Sequence, residues 1–297
     1  MEELKLGIIG LSDGNGHPYS WSAIFNGYNQ EHIQDCPFPV IPDYLSKQKF
    51  PDDCIKNVRV THIWTQDKTI SENVAKSANI PNIVDDIGDL ISLVDGILLA
   101  RDDAENHYEM SLPFLKAGIP IYIDKPLALD FNEAKKIYNL EQYDGQIFTC
   151  SAISYAKELM LTDQDYAQLG KIKYINAYIS KDWSKYAIHI IEPVLKLMGN
   201  QGDIIDIKKK YLNDKVVVTV VWQSGLKTRF FTLGNVSTPI KIKVCGLNHT
   251  KKLIFKDTFS AFKSALQHFV NVIRKTENPP DKNLILKSIK ILELGKN

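Results

Sequence analysis

Apolar runs of strand length alternate with helical runs through the first half of this chain, and that alternation restricts the fold more than any other feature. Strand-like runs fall at residues 4–10, 58–64, 82–84, 94–100, 119–123 and 147–150. Helical patterns lie between them at 70–78, 104–117 and 132–143. Short apolar strands alternating with helices require a parallel sheet covered on both faces. Gly118 supplies a stop between helix 104–117 and the next strand.

One segment breaks the rhythm. Gly10 and Val58 are separated by 47 residues, whereas a complete βαβ unit needs only ~30. The excess, residues 30–56, holds Cys36-Pro37-Phe38-Pro39-Val40-Ile41-Pro42 and Phe50-Pro51. Prolines at this density preclude a continued helix. The segment is therefore expected to be an irregular inserted loop, either a lid over a site or a solvent-facing decoration.

The second half changes character. Strands are expected at 172–179, 204–212, 216–222, 228–233 and 240–245, with hairpin-like turns at Asn213-Asp214 and Ser224-Gly225. Tight turns between successive strands imply antiparallel pairing. Helices are expected at 183–198, 259–275 and 283–294. The reading is an α/β chain of two domains. Residues 1–150 form a parallel α/β domain, and residues 151–297 form an α+β domain with a large, mainly antiparallel open sheet.

Bulk properties narrow the partners. A net charge of +1 over 297 residues argues against nucleic acid or an acidic membrane surface. No signal peptide or membrane-length apolar run is visible. Cys36, Cys54, Cys150 and Cys245 lie far apart without metal-ligand spacing and read as free thiols in a reducing cytoplasm, with a Cys36–Cys54 bridge as the alternative.

The chemistry concentrates at strand ends. Asp124-Lys125-Pro126 follows strand 119–123, at the end where open α/β sheets bind ligands. Lys125 there is either a reacting group or a surface lysine in a tight turn. The first strand runs out as Gly10-Leu11-Ser12-Asp13-Gly14-Asn15-Gly16. A dinucleotide fold wants GxGxxG here, so that backbone amides approach the pyrophosphate. Gly10 is kept, Ser12 takes the second glycine slot, Asn15 the third, and Gly14 lies beside it. At the second strand end, Thr65 and Gln66 precede Asp67 and Lys68. An acid here normally binds the adenosine ribose, and Thr65 with Lys68 suits a 2′-phosphate instead. Ala100, Arg101, Asp102 and Asp103 end the fourth strand. Either aspartate can cap the next helix, and His107 one turn later reads as a packed or capping histidine. On helix 183–198, Lys185, His189 and Glu192 are spaced i, i+4 and i+7 and share one face.

Taken together these runs resemble the glucose-fructose oxidoreductase/inositol dehydrogenase/MocA family (Gfo/Idh/MocA). The resemblance rests on Val94–Ala100, Asn106-His107, the run 117–128 ending in Asp124-Lys125-Pro126-Leu127-Ala128, Gly170-Lys171-Ile172, His189-Ile190-Ile191-Glu192 and the run His268–Arg274. It covers nearly the whole chain. It implies an N-terminal Rossmann domain, a second domain with an open sheet, NAD or NADP as cofactor, a sugar-like or cyclitol substrate, and a homodimer or homotetramer. Lys125 would be the catalytic lysine, His189 the catalytic histidine, and Asp124 would approach the nicotinamide ribose. The cofactor set would be Gly10, Ser12, Gly14, Thr65, Gln66, Ala100, Arg101, Asp102, His107, Asp124 and Lys125. The family often has an aspartate where Lys185 stands; here Lys185 is expected to neighbour Lys125 or to bind an anionic substrate group. Two other activities fit the resemblance: a regulatory dinucleotide-binding member, and a redox-neutral glycosidase with tightly held NAD. The motif 16–21 and the insertion 30–56 are expected to shape the substrate pocket.

Overall fold

A computed structural model describes residues 3–296; residues 1, 2 and 297 of the expected domains lie outside the described residues. The chain order is β1 (Leu4–Gly10), α1 (His17–Asn26), α2 (Val40–Leu45), β2 (Val58–Thr65), α3 (Lys68–Ser77), β3 (Asn82–Ile83), β4 (Gly96–Leu99), α4 (His107–Lys116), β5 (Ile121–Ile123), α5 (Phe131–Tyr138) and β6 (Ile147–Phe148). Then follow α6 (Asp163–Leu169), β7 (Ile172–Ile179), α7 (Trp183–Tyr186), α8 (Ile188–Met198), β8 (Ile204–Leu212), β9 (Lys215–Trp222), β10 (Lys227–Thr232), β11 (Lys241–Gly246), β12 (Thr250–Ile254), α9 (Thr258–Ile273) and α10 (Lys282–Leu294).

The chain divides into two compact units. The first holds Met1–Ala128, Asn132–Thr149 and Phe262–Pro280. Its parallel sheet has the order β3-β2-β1-β4-β5-β6, the doubly wound arrangement expected from the alternation. Ile8, Ile9, Leu98, Leu99 and Ile123 are fully buried, because helices cover both faces of a parallel sheet. The division differs from a single cut near residue 150. Residues 262–280, from the later part of the chain, join the first unit. The reason is aromatic packing: Phe269 stands 5.6 Å from Tyr122 and 5.5 Å from Phe148, ring centre to ring centre.

The segment between β1 and β2 also differs from expectation. Residues 17–26 form α1, with Pro18 tolerated in its first turn, where its missing N–H has no helical partner to lose. The insertion is not wholly irregular. It carries a 3₁₀ turn at His32–Asp35 and the short helix α2, which starts just after Pro39. All four cysteines are free thiols.

The second unit holds Leu129–Phe131, Cys150–Ala261 and Asp281–Asn297. Its sheet runs β12-β11-β7-β10-β9-β8. β8–β9, β9–β10, β7–β11 and β11–β12 pair antiparallel, while β7 pairs β10 in parallel. β9 alternates half-buried and buried residues along its length, the mark of a sheet with one covered face. Ile188, Ile190, Ile191 and Val194 of α8 are fully buried, which explains its apolar stripe. β12 and α6 were not anticipated, since Lys251-Lys252 and the acid-rich start of α6 conceal both patterns. Among the described residues no helix is long and apolar enough to cross a membrane, and no cluster of three or more His, Cys, Asp or Glu is arranged to hold a metal.

Candidate functional site

The strand order of the first unit reverses between β1 and β4. Ligands of open α/β sheets bind outside the carboxyl ends of strands at such a point. β1 runs out there into the loop 11–16. Two glycines in this stretch have distinct physical tasks. A side chain at Gly10 would collide with Pro18, so only glycine lets the start of α1 close on the strand end. Gly14 sits at φ +77°, and no heavy atom lies within 4 Å of where its Cβ would stand. Bare backbone therefore borders open space at the switch point, the condition a dinucleotide's pyrophosphate requires. These residues fit such a group.

Side chains tie this loop to the neighbouring strand ends. Gln66 accepts the Leu11 N–H (2.9 Å) and donates to the Leu11 carbonyl (2.7 Å). Ser12 donates through its hydroxyl to Asp102 Oδ1 (2.7 Å) and accepts the Asp102 N–H (3.0 Å). Asn15, in the third fingerprint position, donates to Asp124 Oδ2 (2.9 Å) while its Oδ1 accepts the His17 N–H (2.8 Å). His17 Nδ1 lies 2.6 Å from that same Asp124 oxygen. The His17 ring stacks on Trp21, with centroids 4.9 Å apart, and meets the edge of Phe262.

Lys125 sits inside this network. Asp124 and Lys125 are both buried, at 1% and 6% exposure. Asp124 Oδ1 accepts the Lys125 N–H (2.8 Å). Burial pushes the Asp124 carboxyl up. The charges of His17 and Lys125, with hydrogen bonds from His17 and Asn15, outweigh that and hold it well below the usual carboxylate range. The carboxylate of Asp124, the residue expected to approach the nicotinamide ribose, bonds Asn15, His17 and the Lys125 N–H. Lys125 Nζ lies 3.5 Å from Asp102 Oδ2, with both side chains largely buried.

The remaining expected cofactor residues divide. Thr65 is buried, donating to the Asp67 carbonyl (2.6 Å) and sharing a hydrogen bond with Ser71. The Asp67 carboxylate caps α3 by accepting the Thr69 and Ile70 N–H groups. Ala100 is fully buried, its N–H bonded to Ile9. Arg101 forks onto Asp103 (2.9 and 2.6 Å) and donates to Gln66 Oε1 (3.0 Å). Burial pushes the Asp103 carboxyl up, but Arg101 and Asn106 draw it below its ordinary range. Neither Asp102 nor Asp103 makes the backbone cap expected of it: one is spent on Ser12 and Lys125, the other on Arg101 and Asn106. His107 is fully buried, with Nδ1 3.1 Å from the Leu127 carbonyl and Nε2 2.9 Å from that of Arg101. It pins the segment after Lys125 to the segment after β4, which is the packed role.

In the second unit the expected single helix breaks at Ala187 into α7 and α8. The three residues of the Lys-His-Glu stripe differ in burial. Lys185 lies exposed on α7, His189 is half-buried in the first turn of α8, and Glu192 is only 3% exposed. His189 and Glu192 meet through a residue that sequence reasoning missed. Ser151 Oγ lies 2.8 Å from His189 Nδ1, and the Ser151 N–H donates to Glu192 Oε2 at 2.5 Å. Its position, three residues past the end of β6, was the available signal. Asn15 and His17 were seen as a glycine substitute and a pocket-shaping motif. Their shared acceptor, Asp124, lies more than 100 residues away, so no local pattern could pair them.

Residues 4–151 match the model of an oxidoreductase family with an NAD-binding Rossmann fold, GFO_IDH_MocA. The chain belongs to the Gfo/Idh/MocA family. The first unit is thus an NAD-binding Rossmann domain of an oxidoreductase family. Solved structures share the fold over the whole length. Apo scyllo-inositol dehydrogenase from Lactobacillus casei is 13% identical with a TM-score of 0.76, over 99% of this chain and 96% of that one. Myo-inositol 2-dehydrogenase from Lactobacillus plantarum is 16% identical with a TM-score of 0.70, over 98% and 96%. GenD2 from gentamicin A biosynthesis, in complex with NAD, is 11% identical with a TM-score of 0.72, over 99% and 93%. Comparison with curated protein sequences gives no match.

Proposed function

We propose that this Gfo/Idh/MocA protein is an NAD- or NADP-dependent dehydrogenase or reductase that transfers hydride between the nicotinamide and a hydroxyl-bearing carbon of a sugar or cyclitol. The observation that carries this reading is the buried lysine at the end of β5, joined by hydrogen bonds and an ion pair to a glycine loop shaped for a dinucleotide. The inositol dehydrogenases of the same fold support the substrate class.

The nicotinamide, when bound, supplies the hydride chemistry; the chain must orient the substrate and handle one proton. Backbone amides of the Ser12–Gly14 turn would hold the pyrophosphate, since His17 has already given its N–H to Asn15 and Pro18 has none. Lys125 holds and polarises the reacting oxygen by hydrogen bonding and charge. His189 takes the hydroxyl proton as the alcohol is oxidised and returns it in reduction. Ser151 fixes one edge of its ring. Carbon loses hydride, oxygen loses a proton, and a carbonyl results. Homodimers or homotetramers are part of this proposal.

A panel of inositols and hexoses, followed by absorbance of the reduced dinucleotide, tests the reading. At least one panel member should drive net reduction of NAD or NADP. Tight dinucleotide binding with no turnover across the panel would contradict it in favour of a regulatory protein.

Lys185 offers a sharper expectation. Its exposed ammonium suits an acidic substrate group such as a carboxylate. Lys185→Asp should lower kcat/KM for uronic acids relative to the matching neutral sugars by about tenfold, the worth of one lost charge-assisted hydrogen bond. An unchanged ratio of the two removes the anion-binding role.

A further inference from the structure

Asp102 does two things at once. Oδ1 accepts the Ser12 hydroxyl at 2.7 Å, while Oδ2 lies 3.5 Å from Lys125 Nζ. One carboxylate therefore spans the glycine loop after β1, the end of β4 and the lysine after β5. The side chains of Asp102 and Lys125 are 12% and 8% exposed. Two charges this buried are costly to leave unpaired, so each stabilises the other in place. The lysine has four rotatable side-chain bonds, so without such a partner its ammonium would sample many positions. Asp124 also attracts the Lys125 ammonium through its charge, but its hydrogen bonds go to the Lys125 backbone N–H, Asn15 and His17, and the ion pair at the ammonium is with Asp102.

We infer that Asp102 is the positioning residue for Lys125, and that through Ser12 it makes the dinucleotide loop and the reacting lysine one connected unit. The inference rests on the proposed role of Lys125. It explains why an acid at this strand end caps no helix: the carboxylate is used across the crevice instead. It also makes Lys125 an ammonium fixed in place, which suits anchoring an oxygen rather than abstracting its proton.

The two functions of Asp102 are separable by substitution. Asp102→Asn keeps an oxygen for the Ser12 hydroxyl and removes the charge that holds Lys125. Ser12→Ala keeps the charge and releases the loop. Three readouts serve: the Kd for NADH and for NADPH from quenching of tryptophan fluorescence, the rate at which acetic anhydride labels Lys125 by peptide mass spectrometry, and kcat against KM on the fastest substrate of the sugar panel. Far-ultraviolet circular dichroism checks that each variant is folded.

Asp102→Asn should leave the dinucleotide Kd within about threefold, label Lys125 at least about tenfold faster, and lower kcat by roughly ten- to hundredfold with KM little changed. Asp102→Glu should recover part of that kcat. Ser12→Ala should weaken the dinucleotide Kd about tenfold and label Lys125 more slowly than Asp102→Asn does, because the charge beside the ammonium is kept. Wild-type labelling and wild-type kcat in folded Asp102→Asn overturn the inference. Lys125→Met separates the two levels. If Lys125→Met is inactive while Asp102→Asn is indifferent, only the positioning role falls; if Lys125→Met turns over normally, the catalytic reading of Lys125 falls first.

Discussion

Lys125→Ala should lose turnover by on the order of 10³-fold while still binding dinucleotide. The size follows from the role. Removing one preorganised donor to a reacting oxygen costs ~10²–10³ in kcat, and here the lysine also carries the charge in a largely buried site. Binding should survive because the proposed pyrophosphate site is the backbone of the glycine loop, which Asn15, His17 and Asp102 continue to hold. The measurement is kcat at saturating substrate beside the dinucleotide Kd from fluorescence quenching. Turnover within about tenfold of wild type would remove Lys125 from the chemistry. Loss of both activity and binding would make it a cofactor residue instead.

The second large effect is on stability. Asp124→Ala strips the shared acceptor from Asn15, His17 and the Lys125 N–H, all in the first unit. Leaving a buried donor without its acceptor costs about 1–3 kcal/mol, so losing the acceptor of three groups takes a large share of a domain's net stability. Denaturant unfolding should show that loss as a fall in midpoint. The pH dependence follows from the direction of the Asp124 shift. Its carboxyl is held below the range of an unfolded aspartate, near 3.9. The stabilisation is therefore complete above about pH 4 and is lost as pH falls towards the folded value. Wild type should lose stability more steeply than Asp124→Asn between about pH 4 and pH 2. Parallel curves would show that the carboxylate's charge is not what holds the loop.

The parts of the fold set by local pattern were legible. Strands of the parallel sheet betrayed themselves as short apolar runs, and the hairpins at Asn213-Asp214 and Ser224-Gly225 by turn chemistry. Helix α1 begins at His17, inside the motif 16–21 that reads in the sequence only as a pocket-shaping segment; its Pro18 is at home in a first helical turn. Residues 262–280 joined the first unit through Phe269 against Tyr122 and Phe148, a contact no periodicity announces.

The candidate site was half legible for the same reason. Lys125 and Gly10 could be placed by position at strand ends. What their neighbours do could not. Asp102 looked like a helix cap and turned out to bridge Ser12 and Lys125. Asp124 could be placed by position, but its hydrogen bonds to Asn15 and His17 could not. Lys185, His189 and Glu192 looked like one stripe; Lys185 lies exposed, while Ser151 joins the other two. Each of these pairings spans tens of residues, so spacing along one helix or strand carries no trace of it.

Isotope transfer tests the central claim most directly. The fastest polyol of the panel, deuterated at the reacting carbon, is incubated with wild-type protein and oxidised dinucleotide. Hydride transfer predicts deuterium on the nicotinamide ring and one reduced dinucleotide for each carbonyl formed. Product that appears without net reduced dinucleotide would contradict a dehydrogenase and mark redox-neutral chemistry on the same fold.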